Sequence, residues 1–437
     1  MNSTHRLSAL QLFQIARYGT MVLIGIILAK SGYTLAQIGA YENLIFTSGM
    51  LTFFWVGAMI QSLLACYGKC DESQKRITIY NTFVVLAACS VVVAAALWIY
   101  AQLPLPFISA RGLTQAGNRT VCMLAGAYIL FNVPAYIIEY VLFLHGRSKE
   151  LIGYALLSST VTLALSLAMV KIDAYQPLMA MAAVLSAVAV IKFFYALTLL
   201  NRYGAFHFQK KLFWEQFLTA WPILLSLLVS GSAEYIDGWL VGEFFSSDVY
   251  AVYRYGAKEL PVLLLIANTF SAAVITEISA NTEKGLTKLY TGSQKLMHWM
   301  FPVTIALLLC SEWLYRVVFS DSFMAAHRVF DVYLLLIIPR LVFPQSILTA
   351  SGNTRPILLS SLLEITLNVT VSYFLGKQFG YVGIAWGTVV AFCADKLFLT
   401  YMCYRRLGIP VTRYVPLRTF LLYSALLVTV YLWKVLV

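Results

Sequence analysis

Thirteen long apolar stretches occupy almost all of this chain, and they leave no segment polar enough to fold as a separate soluble body. They run at about 9–30, 41–66, 79–101, 121–145, 151–170, 177–200, 216–243, 251–278, 293–319, 327–350, 356–376, 381–404 and 415–435. Most are close to the roughly 20 apolar residues that cross a bilayer as a helix. Only helices and closed barrels satisfy their backbone inside lipid, and runs of this length specify helices. The chain is 60% hydrophobic and 11% charged, against about 25% charged in a soluble domain, so most of its surface faces lipid. The first run, from Ala9, is too long for a signal peptide and is expected to remain as a span.

The net charge of +12 does not imply nucleic acid, because the basic residues sit in short turns. They concentrate on alternate turns, for example at Lys75 and Arg76, Arg147 and Lys149, Lys210 and Lys211, and Arg405 and Arg406. The positive-inside rule puts those turns, and the N-terminus, in the cytoplasm. The seven cysteines are scattered and lack zinc-ligand spacing. The five histidines are dispersed, no phosphate-binding glycine loop is present, and the longest outward turn is only about 102–120. These features argue against an enzyme and against direct ATP hydrolysis. They imply no cofactor and leave a proton gradient, a sodium gradient or the membrane potential as the energy source.

The chain also repeats itself. Leu-Leu-Ser-Ser occurs at 156–159 and at 358–361, each time after a short basic turn. Gly39-Ala40-Tyr41 resembles Ala251-Val252-Tyr253, and Ala180 to Val184 resembles Ala385 to Val389. These landmarks lie 202 to 212 residues apart. The expected fold is an all-α polytopic membrane protein with two six-helix lobes, 1–205 and 206–408, and an extra C-terminal helix in 409–437. An even number of helices per lobe makes the repeats parallel, and duplicated bundles of this kind are mostly transporters. Segment 415–435 either spans the membrane or lies partly in its interface.

Charges at bilayer depth are costly, roughly 2.5–3.5 kcal/mol each on insertion scales, and face a cavity or a partner. Arg254 and Lys258, four apart, are expected on one helix face, as are Glu234 and Asp237, three apart. The four form either a buried ion-pair cluster that fixes packing, or a gate where a substrate diphosphate competes for the cations. Arginine suits phosphate because its planar fork donates two parallel hydrogen bonds. Arg340, between Pro339 and Pro344, is a further candidate cation, and Glu42 a further candidate gate or coupling acid. Glu139 and Lys192 are expected to snorkel toward the cytoplasmic ends of their spans. Pro134, Pro222, Pro261, Pro302 and Pro339 mark expected kinks.

Three segments carry a family resemblance: "SGYTLAQIGAYENLIF" (31–46), "SSDVYAVYRYGAKEL" (246–260) and "TASGNTRPILLSSLLEITLNVTVSYFLGKQFGYVGIAWGTVVA" (349–391). They resemble the polysaccharide and O-antigen (Wzx-type) flippases of the multidrug/oligosaccharidyl-lipid/polysaccharide exporter superfamily, over about residues 9–405. The resemblance implies a central cavity between the lobes, alternating access, and export of an undecaprenyl-diphosphate-linked oligosaccharide across the bacterial inner membrane. Its implied partners are membrane lipids, a polysaccharide polymerase and a chain-length regulator. Helices 1, 2, 7 and 8 line the cavity of that family, which makes Arg17 the foremost substrate-facing residue. The thirteenth span departs from the common twelve- and fourteen-helix forms and tells against a fourteen-helix lipid II flippase. The alternatives are a cation-coupled multidrug exporter of the same superfamily and a membrane enzyme of polysaccharide assembly.

Overall fold

The computed structural model describes residues 3–68, 70–102, 115–172, 177–258, 261–353 and 355–436. Among them there is no strand, and each of the thirteen apolar stretches is found on one or more helices. In chain order these are α1 (Ser3–Lys30), α2 (Leu35–Tyr67), α3 (Glu72–Tyr100), α4 (Gln115–Ala135), α5 (Ile137–Leu144), α6 (Ser148–Ile172), α7 (Pro177–Tyr203) and α8 (Lys210–Phe244). Then follow α9 (Ser247–Gly256), α10 (Pro261–Ala280), α11 (Thr282–Val318), α12 (Ala326–Leu334), α13 (Ile337–Arg340), α14 (Pro344–Ala350), α15 (Arg355–Leu407) and α16 (Leu417–Leu436). Ten helices among the described residues are long and apolar enough to cross a bilayer, and α12–α13 with α14, bent by 43°, form an eleventh candidate. Polar caps set where helices begin: Thr34 with Gln37 closes a capping box on α2, and Asp71 with Gln74 does so on α3.

Contacts divide the chain into two compact units, Met1–Tyr235 with Gly242–Ala251, and Ile236–Val241 with Val252–Val437. In the first, α1 packs on α6, and α4 packs on α3 and α7. The segment leading into α8 is tied to α3. Arg76 donates twice to the Gly204 carbonyl, Asn81 exchanges two hydrogen bonds with the Gln209 backbone, and Gln216 donates to Ser62 and Thr82.

In the second unit, α15 holds 53 residues, about 80 Å at 1.5 Å per residue and far more than one span requires. It is two helices meeting at Gly380, whose φ of 68° and ψ of −155° suit only glycine. The two arms pack so closely that a Cβ on Gly387 would lie 2.0 Å from Ser372 Oγ and 2.6 Å from Ser372 Cα. Helix α16 lies on α11. Tyr423 stacks on Phe301 at 5.4 Å and bonds His298 at 3.0 Å, and Tyr431 meets Trp386 edge-on at 5.6 Å. This last helix is itself long and apolar enough to span.

The proline expectations divide. Pro222 and Pro302 sit inside continuous helices. Pro134 stands just before the α4–α5 break, where the Tyr136 amide turns to the Val133 carbonyl. Pro261 opens α10, and Pro339 lies in the four-residue α13, one element of the bent pair.

Candidate functional site

Arg17 lies on α1, and its guanidinium reaches Glu139 of α5, Nη1 to Oε1, at 3.2 Å. The break after Pro134 brings this about: with Ala135 ending one helix and Ile137 starting the next, Tyr136 and Glu139 both turn toward α1. The guanidinium also sits over the rings of Phe13 and Tyr136, at 5.6 and 5.5 Å, a favourable placement for a cation. The two partners are not equally accessible. The Arg17 side chain is 43% exposed and that of Glu139 only 3%, so the cation presents itself and the acid stands behind it. Arg17 opens into a small pocket of about 40 Å³ lined from α1, α4, α6 and α7 by Thr20, Tyr128, Asn132, Ser158, Ser159, Thr162 and Lys192 among others. The snorkelling expected of Glu139 and Lys192 does not occur. Glu139 is buried on Arg17, and Lys192 lines the pocket. Sequence alone gave no hint of the pair, because its members are 122 residues apart.

The second polar centre surrounds Asp237 in the second unit. Its Oδ2 accepts from the hydroxyls of Tyr333, at 2.5 Å, and Thr388. Tyr253 donates to the Tyr333 oxygen at 3.0 Å, and Asn368 donates to Thr388 at 3.4 Å. Oδ1 is buried and has no hydrogen-bond partner. A buried carboxylate oxygen left bare is costly. Tyr333, Thr388 and Asn368 were missed in the sequence because hydroxyls and amides are common in membrane helices, where only the fold tells which of them converge.

Other candidates are placed differently from expectation. Arg254 and Lys258 do not share a helix face, because α9 ends at Gly256 and Lys258 lies beyond it, its ammonium 4.1 Å from the Tyr255 ring. Pro261 explains the stop: it has no N–H to continue the ladder, and its ring collides with the carbonyl four residues back. The described hydrogen-bond partners of Asp237 are the hydroxyls of Tyr333 and Thr388. The side chain of Glu234 lies outside the described residues. Glu42 is buried in α2. Arg340 sits at the end of α13 over the Phe392 ring, which Lys396 also faces while pairing with Asp395 at 3.0 Å.

A family model described as "Lipid II flippase MurJ" matches residues 49–437, a stretch that includes the Asp237 centre and leaves Arg17 outside. No curated protein matches. Solved structures share the fold. A lipid II flippase MurJ in an inward closed conformation gives a TM-score of 0.76 at 15% identity, covering 97% of this chain and 92% of that one. An inward-facing multidrug resistance MATE family transporter of the MOP superfamily gives 0.66 at 15%, covering 93% and 98%. A MOP superfamily transporter from Pyrococcus furiosus gives 0.58 at 14%, covering 93% and 95%. These findings overturn the resemblance to the Wzx-type branch, and with it the argument that thirteen spans tell against a lipid II flippase. The segments that carried the resemblance hold packing features, such as the Gly380 bend and the Gly387 contact, which the fold demands whatever is transported. The polymerase and chain-length regulator lose their support with that branch. The protein is a multi-pass membrane transporter, not an enzyme. Its family is the lipid II flippase family MurJ, to which the chain belongs.

Proposed function

We propose that this protein moves lipid II, a lipid whose headgroup is attached through a diphosphate, across the bacterial inner membrane by alternating access, with its N-terminus in the cytoplasm. The observation that carries this reading is Arg17: a half-exposed guanidinium within the bilayer, facing a hydroxyl-lined pocket that holds a second cation, Lys192. A diphosphate cannot cross hydrocarbon unaided, and an arginine fork replaces part of its hydration with directed, charge-assisted hydrogen bonds. The family match supplies the substrate. Arg254, Lys258 and Arg340 are proposed as further headgroup contacts, and Glu42 and Glu234 as gate residues.

Energy coupling is assigned in this reading to Asp237. A proton or sodium ion on Oδ1 would neutralise a carboxylate whose other oxygen already takes two hydroxyl donors. A cation-exporting multidrug transporter fits less well, because the Arg17 pocket presents cations to its ligand. Reconstitution into proteoliposomes tests the reading. Lipid II added to one leaflet should reach the other with the wild type and not with Arg17→Ala of normal thermal stability. Transport of an organic cation dye with no movement of lipid II would refute it.

A further inference from the structure

Glu139 is an unexpected neighbour for a cation that handles phosphate. Its carboxylate is buried, with Oε1 accepting from Arg17 and Oε2 lacking any hydrogen-bond partner. A buried ion pair that exists for packing uses up its acceptors, because desolvated and unmade bonds are expensive. This pair leaves one acceptor bare. It also engages a single guanidinium N–H of the five available, the opposite of the bidentate fork that makes arginine–carboxylate pairs strong. The pocket beside it is lined by Arg17 and Lys192, which with Glu139 leave a surplus of one positive charge, and by Ser158, Ser159 and Thr162, of which Ser158 and Thr162 also donate to the Ala155 and Ser158 carbonyls. Those are the surroundings of an anion, and Glu139, buried on the far side of Arg17, is not among the residues that line them.

We infer that Glu139 is a resident counter-ion of the headgroup site. It holds the Arg17 charge while the pocket lacks an anion and yields it when a phosphate group arrives, so its competition sets how tightly the headgroup is held and how readily it is released. The inference rests on Arg17 binding the substrate diphosphate. A phosphate offers Arg17 the two-pronged contact that Glu139 does not make, and it offers Lys192 a second charge to meet. The carboxylate keeps the empty pocket from trapping any passing anion. It also provides the charge to which Arg17 returns after release.

A consequence separates this role from simple packing. Glutamine at 139 keeps the size and an acceptor for Arg17 but removes the competing charge. If the pair exists for packing, Glu139→Gln weakens the site as Arg17→Gln does. If Glu139 is the counter-ion, the two halves of one ion pair change anion affinity in opposite directions.

The test uses full-length protein in nanodiscs, titrated calorimetrically with inorganic pyrophosphate. The loss of one charge-assisted contact predicts weakening of roughly 10-fold or more for Arg17→Gln. Lys192→Gln should weaken binding about 3-fold or more, and Glu139→Gln should tighten it by a similar factor. Glu139→Asp, which keeps the charge, should stay near the wild type. Lipid II added to the nanodiscs should displace pyrophosphate if the anion is the substrate headgroup, whereas failure to displace it would assign the site to a free anion and overturn that part. Weaker or unchanged binding by Glu139→Gln, at wild-type thermal stability, overturns the counter-ion role, as does the absence of saturable pyrophosphate binding by the wild type. The transport reading is judged separately by lipid II flipping in Arg17→Ala, so the two can fail independently.

Discussion

Two acid–base pairs, one in each unit, look alike as distances and differ in everything else. In the second unit, Lys434 of α16 meets Asp331 of α12 at 2.7 Å, with the two side chains only 15% and 7% exposed. Lys434 also donates to the Leu308 carbonyl at 2.8 Å and to Ser311, and Ser311 donates to the other oxygen of Asp331 at 2.5 Å. Every charge there is answered. In the first unit, Arg17 and Glu139 are joined by one contact of 3.2 Å, the cation open to a pocket and one carboxylate oxygen unanswered. A closed pair of the first kind fastens a helix, here α16, to its neighbours. An open pair of the second kind leaves donors for a ligand. Counting intramembrane ion pairs does not reveal function, whereas counting their unused donors and acceptors does.

The sharpest way to break this comparison is to remove the cation from each pair. Lys434→Met leaves Asp331 buried among partners arranged for a charge, a loss of roughly 3–5 kcal/mol by analogy with broken buried pairs. A thermal-denaturation series in detergent should show a large drop, and the double variant Lys434→Met/Asp331→Leu should recover much of it, while lipid II flipping by the folded fraction stays normal. Arg17→Met should do the reverse. Lys192 remains in the same pocket to face Glu139, so the stability loss is smaller, and flipping falls by the roughly 10- to 100-fold expected for losing a charged hydrogen-bond donor. Equal stability losses from the two variants would erase the distinction.

Asp237 extends the contrast to coupling. Its hydroxyl ring satisfies Oδ2 and leaves Oδ1 bare, so Asp237→Asn keeps hydrogen bonding but removes the charge a coupling ion needs. Flipping driven by an imposed proton or sodium gradient should fall about 10-fold, toward the rate without a gradient, since that response rests on one ionic contact. Arg17→Ala should be slow with or without the gradient. A full gradient response in Asp237→Asn would remove this residue from the coupling role.

How far the sequence could be read follows from the same distinction. Hydropathy alone locates the thirteen apolar stretches, and the Gly-rich hairpin at 376–387 is legible because positive φ and close approach demand glycine. Arg17 stands out because a charge in an apolar run has few explanations. Its partner does not, since Glu139 meets it only through a proline break in a helix 122 residues away. The end of α9 at Gly256 is not legible from hydropathy, because a run of apolar residues on both sides of Lys258 and Glu259 is equally compatible with one continuous helix. The Wzx-type resemblance misleads because a segment that carries it holds packing residues, such as Gly380 and Gly387, which fix the bend and close contact of α15 and carry no information about the substrate.

Packing offers a further contrast, between two glycines of one hairpin. Gly387→Ala puts a methyl 2.0 Å from Ser372 Oγ and 2.6 Å from its Cα. Overpacking of this kind costs roughly 1–3 kcal/mol, and backbone must shift to relieve it. Gly380→Ala meets no atom within 4 Å but keeps a φ of 68°, a strain of about 1–2 kcal/mol. Thermal denaturation should rank Gly387→Ala as the more harmful, and Ser372→Gly should partly rescue it while leaving Gly380→Ala unchanged.

The smallest effect is expected where the duplication first showed itself. In both copies of Leu-Leu-Ser-Ser the leucines point outward: Leu157 is 66% and Leu359 55% exposed. The serines turn inward, Ser158 to the Arg17 pocket and Ser360 to a buried position bonded to the Ile357 carbonyl at 2.9 Å. Lipid tails are as apolar as leucine, so burying leucine against protein brings no hydrophobic gain within a bilayer. Leu157→Ala and Leu359→Ala should therefore each change thermal stability by less than about 0.5 kcal/mol and leave flipping intact. Ser158→Ala should slow flipping with little loss of stability, since it removes a pocket-lining hydroxyl whose bond to the Ala155 carbonyl is long, at 3.2 Å. Ser360→Ala should act on stability alone, because that side chain is only 1% exposed and its 2.9 Å bond to the Ile357 carbonyl serves packing. The repeated string then reads as one lipid-facing device used twice, with its polar half serving the ligand in the first unit and packing in the second. Equal behaviour of the two serine variants would mean that the repeat had kept one role in both places.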